Sequence, residues 1–133
     1  MPLVVDASVT ASWLLVDKSD PRAEAAFEQF EGDLMVVPAV WWFETRNSLV
    51  MNQRRGRIDE KEMHRALEML DRLPMSIDRE PNSAHIVELA QKHRLPVYDA
   101  AYLELAIRLD LPLATLDEAL TRAAAVNKVP LVG

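Results

Sequence analysis

The 133-residue sequence contains no cysteine. This absence excludes disulfide bonds, thiolate metal sites and cysteine nucleophiles together, and it is typical of proteins that work in a reducing compartment.

Long hydrophobic runs are also missing. No uninterrupted apolar stretch approaches the roughly 20 residues that span a bilayer. Residues 1–6 have no basic segment ahead of an apolar one, so they do not have the pattern of a signal peptide. We therefore expect a cytoplasmic protein with no membrane partner.

Basic residues are outnumbered, with 15 Lys and Arg against 21 Asp and Glu and a formal net charge of −6. Phosphate contacts favour basic surfaces, so this balance argues against a generic nucleic-acid binder. It does not exclude a nuclease, because bound cations would neutralise acidic residues in a metal site and a local basic patch can hold the substrate.

The length and the 50% hydrophobic content fit one domain with a single core, over residues 1–133. Short apolar runs alternate with amphipathic helical stripes. This alternation predicts a three-layer α/β/α fold with a central parallel sheet of four to five strands. The predicted strands are residues 3–5, 34–37, 75–77, 111–115 and 129–132, the last at an edge because it contains Pro130.

Several helix ends carry capping signals. Ser8 is predicted to cap the first helix, which extends to about Val16, and Gly32 is predicted to end the second. Asp59 and Glu62 have the spacing of a capping box at the start of the fourth helix.

Two aspartates directly follow predicted strands. Asp6 ends the first strand with Ser8 close behind it, and Asp117 lies just past the fourth strand, after Thr115. Sites in open parallel sheets form outside the carboxyl ends of the strands. The two aspartates are therefore predicted to be neighbours at that edge.

Two further carboxylates are ambiguous. Asp99 begins a helix to Leu109 that is apolar nearly all round, where an aspartate is also an ordinary N-cap. Glu44 lies early in a helix, with Asn47 and Ser48 on the same face. The alternative for Glu44 is a solvated helix face.

If these elements pack as predicted, several carboxylates converge at one end of the sheet. Like charges within a few ångströms resist joint ionisation, so such a cluster either takes up protons or binds a cation. Oxygen ligands without cysteine favour Mg²⁺ or Mn²⁺ over Zn²⁺.

Four segments, in their order along the chain, resemble the motifs of PIN domains. They are most similar to those of the VapC-type toxins of prokaryotic toxin–antitoxin pairs. The resemblance covers essentially the whole chain, and all four acidic positions match. The segments are Val-Val-Asp-Ala-Ser at 4–8, Glu44 with Asn47, Tyr-Asp-Ala-Ala-Tyr at 98–102 and Leu-Ala-Thr-Leu-Asp at 113–117.

The resemblance implies a metal-dependent endoribonuclease that hydrolyses RNA phosphodiester bonds with one or two Mg²⁺ or Mn²⁺ ions. It implies as partners an RNA substrate, a cognate VapB-like antitoxin whose C-terminal segment wraps the toxin, and a second copy in a homodimer. The implied catalytic and metal-binding quartet is Asp6, Glu44, Asp99 and Asp117, with Ser8, Asn47 and Thr115 as supporting polar residues.

Four arginines are candidates for contacts to RNA phosphates because they lie on or just after the helix that carries Glu44. The alternative is a solvated helix end at which basic residues complement the helix dipole. The candidates are Arg46, Arg54, Arg55 and Arg57.

Two other interpretations stay open. A phosphoacceptor receiver domain would use Asp78 after the third strand, but Asp6 has no paired acidic neighbour and Lys128 precedes the last strand. A catalytically silent PIN-like module would bind without cleaving, and failure to bind Mg²⁺ or Mn²⁺ would identify it.

Overall fold

The computed structural model describes residues 2–15, 19–30 and 33–132, which contain four strands and seven helices. The predicted helix ends at Val16 and Gly32 lie outside these ranges. Every helix within them is too short or too polar to cross a bilayer.

The four strands are β1 (Leu3–Val5), β2 (Met35–Pro38), β3 (Met75–Asp78) and β4 (Leu113–Ala114). They form one parallel sheet in the order β3-β2-β1-β4, which confirms the predicted parallel pairing. The chain winds outward from β1 to β2 and β3, and then returns to place β4 on the other side of β1. This reversal makes the edge between β1 and β4 the topological switch point, where such folds bind ligands.

The helices form the two outer layers. They are α1 (Ala7–Leu14), α2 (Pro21–Phe30), α3 (Val40–Arg54), α4 (Glu60–Arg72), α5 (Ser83–His93), α6 (Val97–Leu109) and α7 (Glu118–Val126). In the first layer, α6 packs on β1, β2 and β4, with α5 and α7 beside it. In the second layer, α1 packs on α2 and α3, and α3 packs on α4.

Helix starts confirm one capping prediction and correct another. The capping box of α4 is present, with the Glu62 amide donating to Asp59 and the Asp59 amide donating to Glu62. The prediction of Ser8 as the cap of α1 is wrong. Asp6 has the extended backbone of an N-cap and accepts a hydrogen bond from the Val9 amide, while the Ser8 hydroxyl donates to Asp6.

Helix α6 begins at Val97, two residues earlier than predicted. Pro96 occupies the N-cap position, and the Asp99 amide donates to the Pro96 carbonyl oxygen at 3.1 Å. Asp99 therefore lies inside the first turn, and its interpretation as an N-cap is wrong. A proline just before the first turn sacrifices no helical hydrogen bond.

The predicted fifth strand is reduced to one bridge, between Leu113 and Leu131. Strand β4 is also shorter than predicted, at Leu113–Ala114 instead of residues 111–115, and just after it the amides of Leu116 and Asp117 donate to side-chain hydroxyls. With two residues in β4, the C-terminal segment has little edge left to pair with.

Candidate active site

Asp6 lies at the carboxyl end of β1 and is the most buried of the four predicted acids, at 5% exposure. Its Oδ1 atom accepts hydrogen bonds from the Ser8 hydroxyl at 2.6 Å and the Val9 amide at 3.1 Å. The Thr115 hydroxyl donates to Oδ2. Burial raises the pKa of Asp6, and the hydrogen bonds from Ser8, Thr115 and Val9 partly offset that rise.

The Ser8 and Thr115 hydroxyls also connect β1 to the segment after β4. The Leu116 amide donates to Ser8 Oγ, and the Asp117 amide donates to Thr115 Oγ1, each at 3.0 Å. Each hydroxyl therefore donates to Asp6 and accepts from the chain near Asp117. This double use brings the predicted residues at the two strand ends together.

Asp117 is the N-cap of α7, where its Oδ2 atom accepts a hydrogen bond from the Leu120 amide at 2.8 Å. Asp99 is half-buried in the first turn of α6. Burial raises the pKa of Asp99, and so does the negative charge of Asp117. The two acids are therefore close enough to repel each other.

Glu44 is half-buried on α3, and the Tyr102 hydroxyl donates to its Oε1 atom at 2.6 Å. Burial is the main cause that raises the pKa of Glu44, and the charges of Asp99 and Asp6 raise it further, while the Tyr102 hydrogen bond lowers it. The same burial and the Glu44 carboxylate raise the pKa of Tyr102, so its hydroxyl stays protonated and acts as a donor.

The four acids thus form a cluster of like charges. The charge of Asp99 raises the pKa of Asp6 and of Glu44, and the charge of Asp117 raises the pKa of Asp99. In the described ranges no lysine, arginine or histidine forms an ion pair with any of them. Like charges without an internal partner favour an external cation.

The donor set fits a hard cation, since it offers carboxylate oxygens and no soft ligand. However, no three acidic or histidine side chains in the described part of the chain converge on one point suitable for a metal ion. Asp6, Glu44 and Asp117 instead each direct an oxygen to a donor of their own. Glu44 Oε2, Asp117 Oδ1 and both Asp99 carboxylate oxygens accept no hydrogen bond from the described residues and are the oxygens left for a cation.

Two open cavities flank Glu44. One, of about 360 Å³, separates α1 from α3, and the other, of about 280 Å³, lies between α3 and the start of α6. Asn47 borders both cavities together with Glu44, and Ser8 borders the first. The chain therefore has room for a ligand on both sides of Glu44.

The predicted arginines lie farther away. Arg46 is directed to the opposite side of α3, where it packs 4.2 Å above the Trp42 ring and pairs with Asp71 of α4 at 3.7 Å. Arg54, Arg55 and Arg57 are exposed around the end of α3. At 1.5 Å per helical residue, that end is roughly 15 Å from Glu44.

A second acidic group lies at the far side of α6, and the sequence interpretation missed it. Glu104 is 1% exposed and accepts from Arg108 Nε at 2.8 Å and from the Asn82 amide at 3.0 Å. Arg108 also donates to both oxygens of Asp78 at the end of β3. A charged residue inside an otherwise apolar helix was the signal that a buried partner was needed.

Tyr102 is the residue of the site itself that sequence reasoning did not single out. Its position three residues after Asp99 places both on one face of α6. A phenol on the buried face of an apolar helix needs a hydrogen-bond partner, and this need was the available signal. The partner, Glu44, lies 58 positions away in the sequence.

Comparisons with known proteins agree with this geometry. The sequence model of the PIN domain family matches residues 3–126. The chain is 34% identical over 124 residues to ribonuclease VapC3 of Pyrobaculum aerophilum, covering 90% of this chain and 92% of that protein.

Two solved structures share the fold. PAE2754 from Pyrobaculum aerophilum superposes with a TM-score of 0.72 at 22% identity, covering 92% of this chain and 84% of that one. Mycobacterium tuberculosis VapC20, described as a sarcin–ricin loop cleaving toxin, superposes with a TM-score of 0.60 at 12% identity and covers 91% of this chain and 94% of its own.

Proposed function

The chain belongs to the PIN domain family, and from that premise we propose that it is a divalent-cation-dependent endoribonuclease of the VapC type. Its relative of 34% identity is named a ribonuclease over nearly the same length. The receiver-domain alternative is wrong, because the chain belongs to a different family.

The observation that carries the proposal is the uncompensated acidic cluster at the switch point between β1 and β4. Burial raises the pKa values of Asp6, Glu44 and Asp99, and negative neighbours contribute further to each rise. Such a set gains from binding Mg²⁺ or Mn²⁺, the hard cations that oxygen ligands select.

In this proposal the quartet of Asp6, Glu44, Asp99 and Asp117 holds the cation. A divalent cation held by these residues would supply positive charge for phosphodiester hydrolysis and would lower the pKa of an attacking water. The hydroxyls of Ser8 and Thr115 keep the Asp6 carboxylate in one orientation through the hydrogen bonds described above. No histidine is needed, and the main task of the carboxylates is to bind rather than to move protons.

RNA is the proposed substrate, and the cavities beside Glu44 are its proposed entry. Asn47 borders both cavities and is suited to a polar contact with the nucleotide next to the cut. Arg54, Arg55 and Arg57 would contact phosphates farther along the strand. An Arg54→Ala/Arg55→Ala variant should bind RNA more weakly, with a shallower dependence on salt; unchanged binding would remove them from the interface.

A homodimer and a cognate antitoxin complete the proposal, with the protein acting in the cytoplasm. An exposed apolar cluster on α3 and at the start of α6 supports a protein interface. Phe43 is 66% exposed and Tyr98 61%, and the two border one cavity. If Phe43→Glu sediments as a monomer while the wild type sediments as a dimer, the proposed homodimer is supported. Co-purification with the protein encoded by the neighbouring gene would test the proposed antitoxin partner.

The decisive experiment measures Mg²⁺-dependent cleavage of RNA by the wild type and by Asp6→Asn and Asp99→Asn. Both variants should lose at least about 100-fold in rate while remaining folded, because each removes a charge that binds the cation. Asp110→Asn is the matched control, since it makes the same change at the far end of α6, where asparagine tolerates the left-handed backbone.

Full activity in Asp6→Asn or Asp99→Asn would contradict the assignment of the quartet. A wild type that binds neither Mg²⁺ nor Mn²⁺ and cleaves no RNA would favour the catalytically silent module. The lack of a converged metal group among the described side chains is the observation that keeps this second candidate in the test.

A further inference from the structure

The Tyr102 hydroxyl is an unusual polar group to find buried on an otherwise largely apolar helix. The side chain is 1% exposed and lies on α6, most of whose buried residues are aliphatic. Phenylalanine would fill the same volume without burying a hydroxyl, so packing alone does not account for tyrosine. The hydroxyl is explained by its partner, the Glu44 carboxylate, 2.6 Å away.

This hydrogen bond restricts a side chain that is otherwise free to move. Glutamate has three rotatable side-chain bonds, and no other side chain in the described ranges hydrogen-bonds to the Glu44 carboxylate. With Oε1 accepting from Tyr102, the carboxylate is restrained, and Oε2 accepts no hydrogen bond from the described residues and is left for another ligand.

The same phenol contacts or adjoins the elements that carry three of the four acids. It lies three residues after Asp99 on α6, donates to Glu44 of α3, and is near enough to Asp6 for the charge of that carboxylate to raise its pKa. A single buried group thus joins α6 to α3 beside the end of β1.

We propose that Tyr102 is a positioning residue that holds Glu44 in the orientation required to bind the divalent cation, an inference that rests on the proposed function. Tyr102 does not itself touch the cation or the substrate. Partners of metal ligands commonly act in this way, and removing one typically weakens metal binding 10- to 100-fold.

The test is a calorimetric titration of the whole protein with MnCl₂, which reports metal affinity without any cleavage. Tyr102→Phe should weaken Mn²⁺ binding about tenfold or more. The control is Thr45→Val, because Thr45 has a buried hydroxyl beside Glu44 whose hydrogen-bond partners, the Trp41 and Trp42 carbonyl oxygens and the Arg46 guanidinium, all lie on the same helix and do not include Glu44. Thr45→Val should keep the wild-type affinity.

A second measurement separates positioning from general structural damage. In a Glu44→Ala background, adding Tyr102→Phe should leave Mn²⁺ affinity unchanged within about twofold, because the acceptor of the Tyr102 hydrogen bond has already been removed. A loose core would instead weaken binding equally in both backgrounds. If Tyr102→Phe does not fold, Glu44→Asp serves instead, since it keeps the charge but withdraws it from the hydroxyl, and it should also bind Mn²⁺ more weakly.

Wild-type affinity in Tyr102→Phe, equal losses in both backgrounds, or an equal loss in Thr45→Val would each overturn the positioning role and leave the proposed function standing. A wild type that binds no Mn²⁺ would overturn both.

Discussion

Among the residues that the structure describes, acidic side chains gather at the switch point between β1 and β4 and at the far side of α6. At the far side, Arg108 donates to Glu104 and to both oxygens of Asp78, and the Asn82 amide completes the set. At the switch point, hydroxyls and amides are the donors, and none of them carries a positive charge.

This difference in the charge of the donors indicates a structural role for the acids at the far side of α6 and a cation-binding role for the acids at the switch point. A buried carboxylate with a guanidinium beside it is neutralised by the protein itself and helps to join β3, α5 and α6. Carboxylates that have only neutral donors have raised pKa values, mainly because of burial and further because their negative charges repel one another. The second arrangement is the one that gains from a cation in solution.

The largest expected effect comes from removing the internal cation of the far cluster. Arg108→Met should lower the free energy of unfolding by about 3 to 5 kcal/mol, because it leaves Glu104 buried without a charged partner. Urea unfolding measures this change. The Arg108→Met/Glu104→Leu double variant should recover much of the loss, whereas equal instability of the single and double variants would mean that the pair is not the cause.

The next effect comes from giving the switch-point cluster a cation of its own. Asn47→Arg places a guanidinium one helical turn from Glu44 and should lower Mg²⁺-dependent RNA cleavage about 100-fold, or roughly 2.7 kcal/mol, by competing for the carboxylates. Val126→Arg adds the same charge at an exposed position of α7 and should leave the rate unchanged. Equal rates of RNA cleavage for Asn47→Arg and the wild type would contradict the claim that the switch-point acids need to be free of an internal positive charge.

The smallest expected effect is on the pH dependence of stability. Carboxyl groups with raised pKa values bind protons more tightly in the folded state, so their contribution to stability falls as pH rises from about 4 through the raised values. Asp6→Asn removes one such group, so in EDTA it should gain stability relative to the wild type between pH 4 and pH 7. Urea midpoints that stay equally spaced across this range would contradict the account.

Local patterns in the sequence predicted what depends on neighbouring residues. The position of Asp6 at a strand end and the capping box of Asp59 and Glu62 follow from short-range rules, and both are present in the structure. The choice of Ser8 over Asp6 as the helix cap failed because both residue types cap helices, and the decision rests on the backbone angles of each.

Contacts between distant residues were beyond such rules. The Tyr102–Glu44 bond joins positions 58 apart, and the Glu104 contact with Asn82 joins positions 22 apart. The last strand was overpredicted for the same reason, because its pairing depended on the length of β4. The roles of the four acids came from the family resemblance, and they stay predictions until a cation is measured.

That measurement is a calorimetric titration with Mn²⁺ at pH 7 of the wild type, Asp6→Asn and Asp78→Asn, one aspartate from each cluster. The account predicts that the wild type and Asp78→Asn bind with equal affinity and that Asp6→Asn binds at least about tenfold more weakly. Equal binding by all three proteins, or no binding by the wild type, would contradict the claim that the switch-point acids form the cation site.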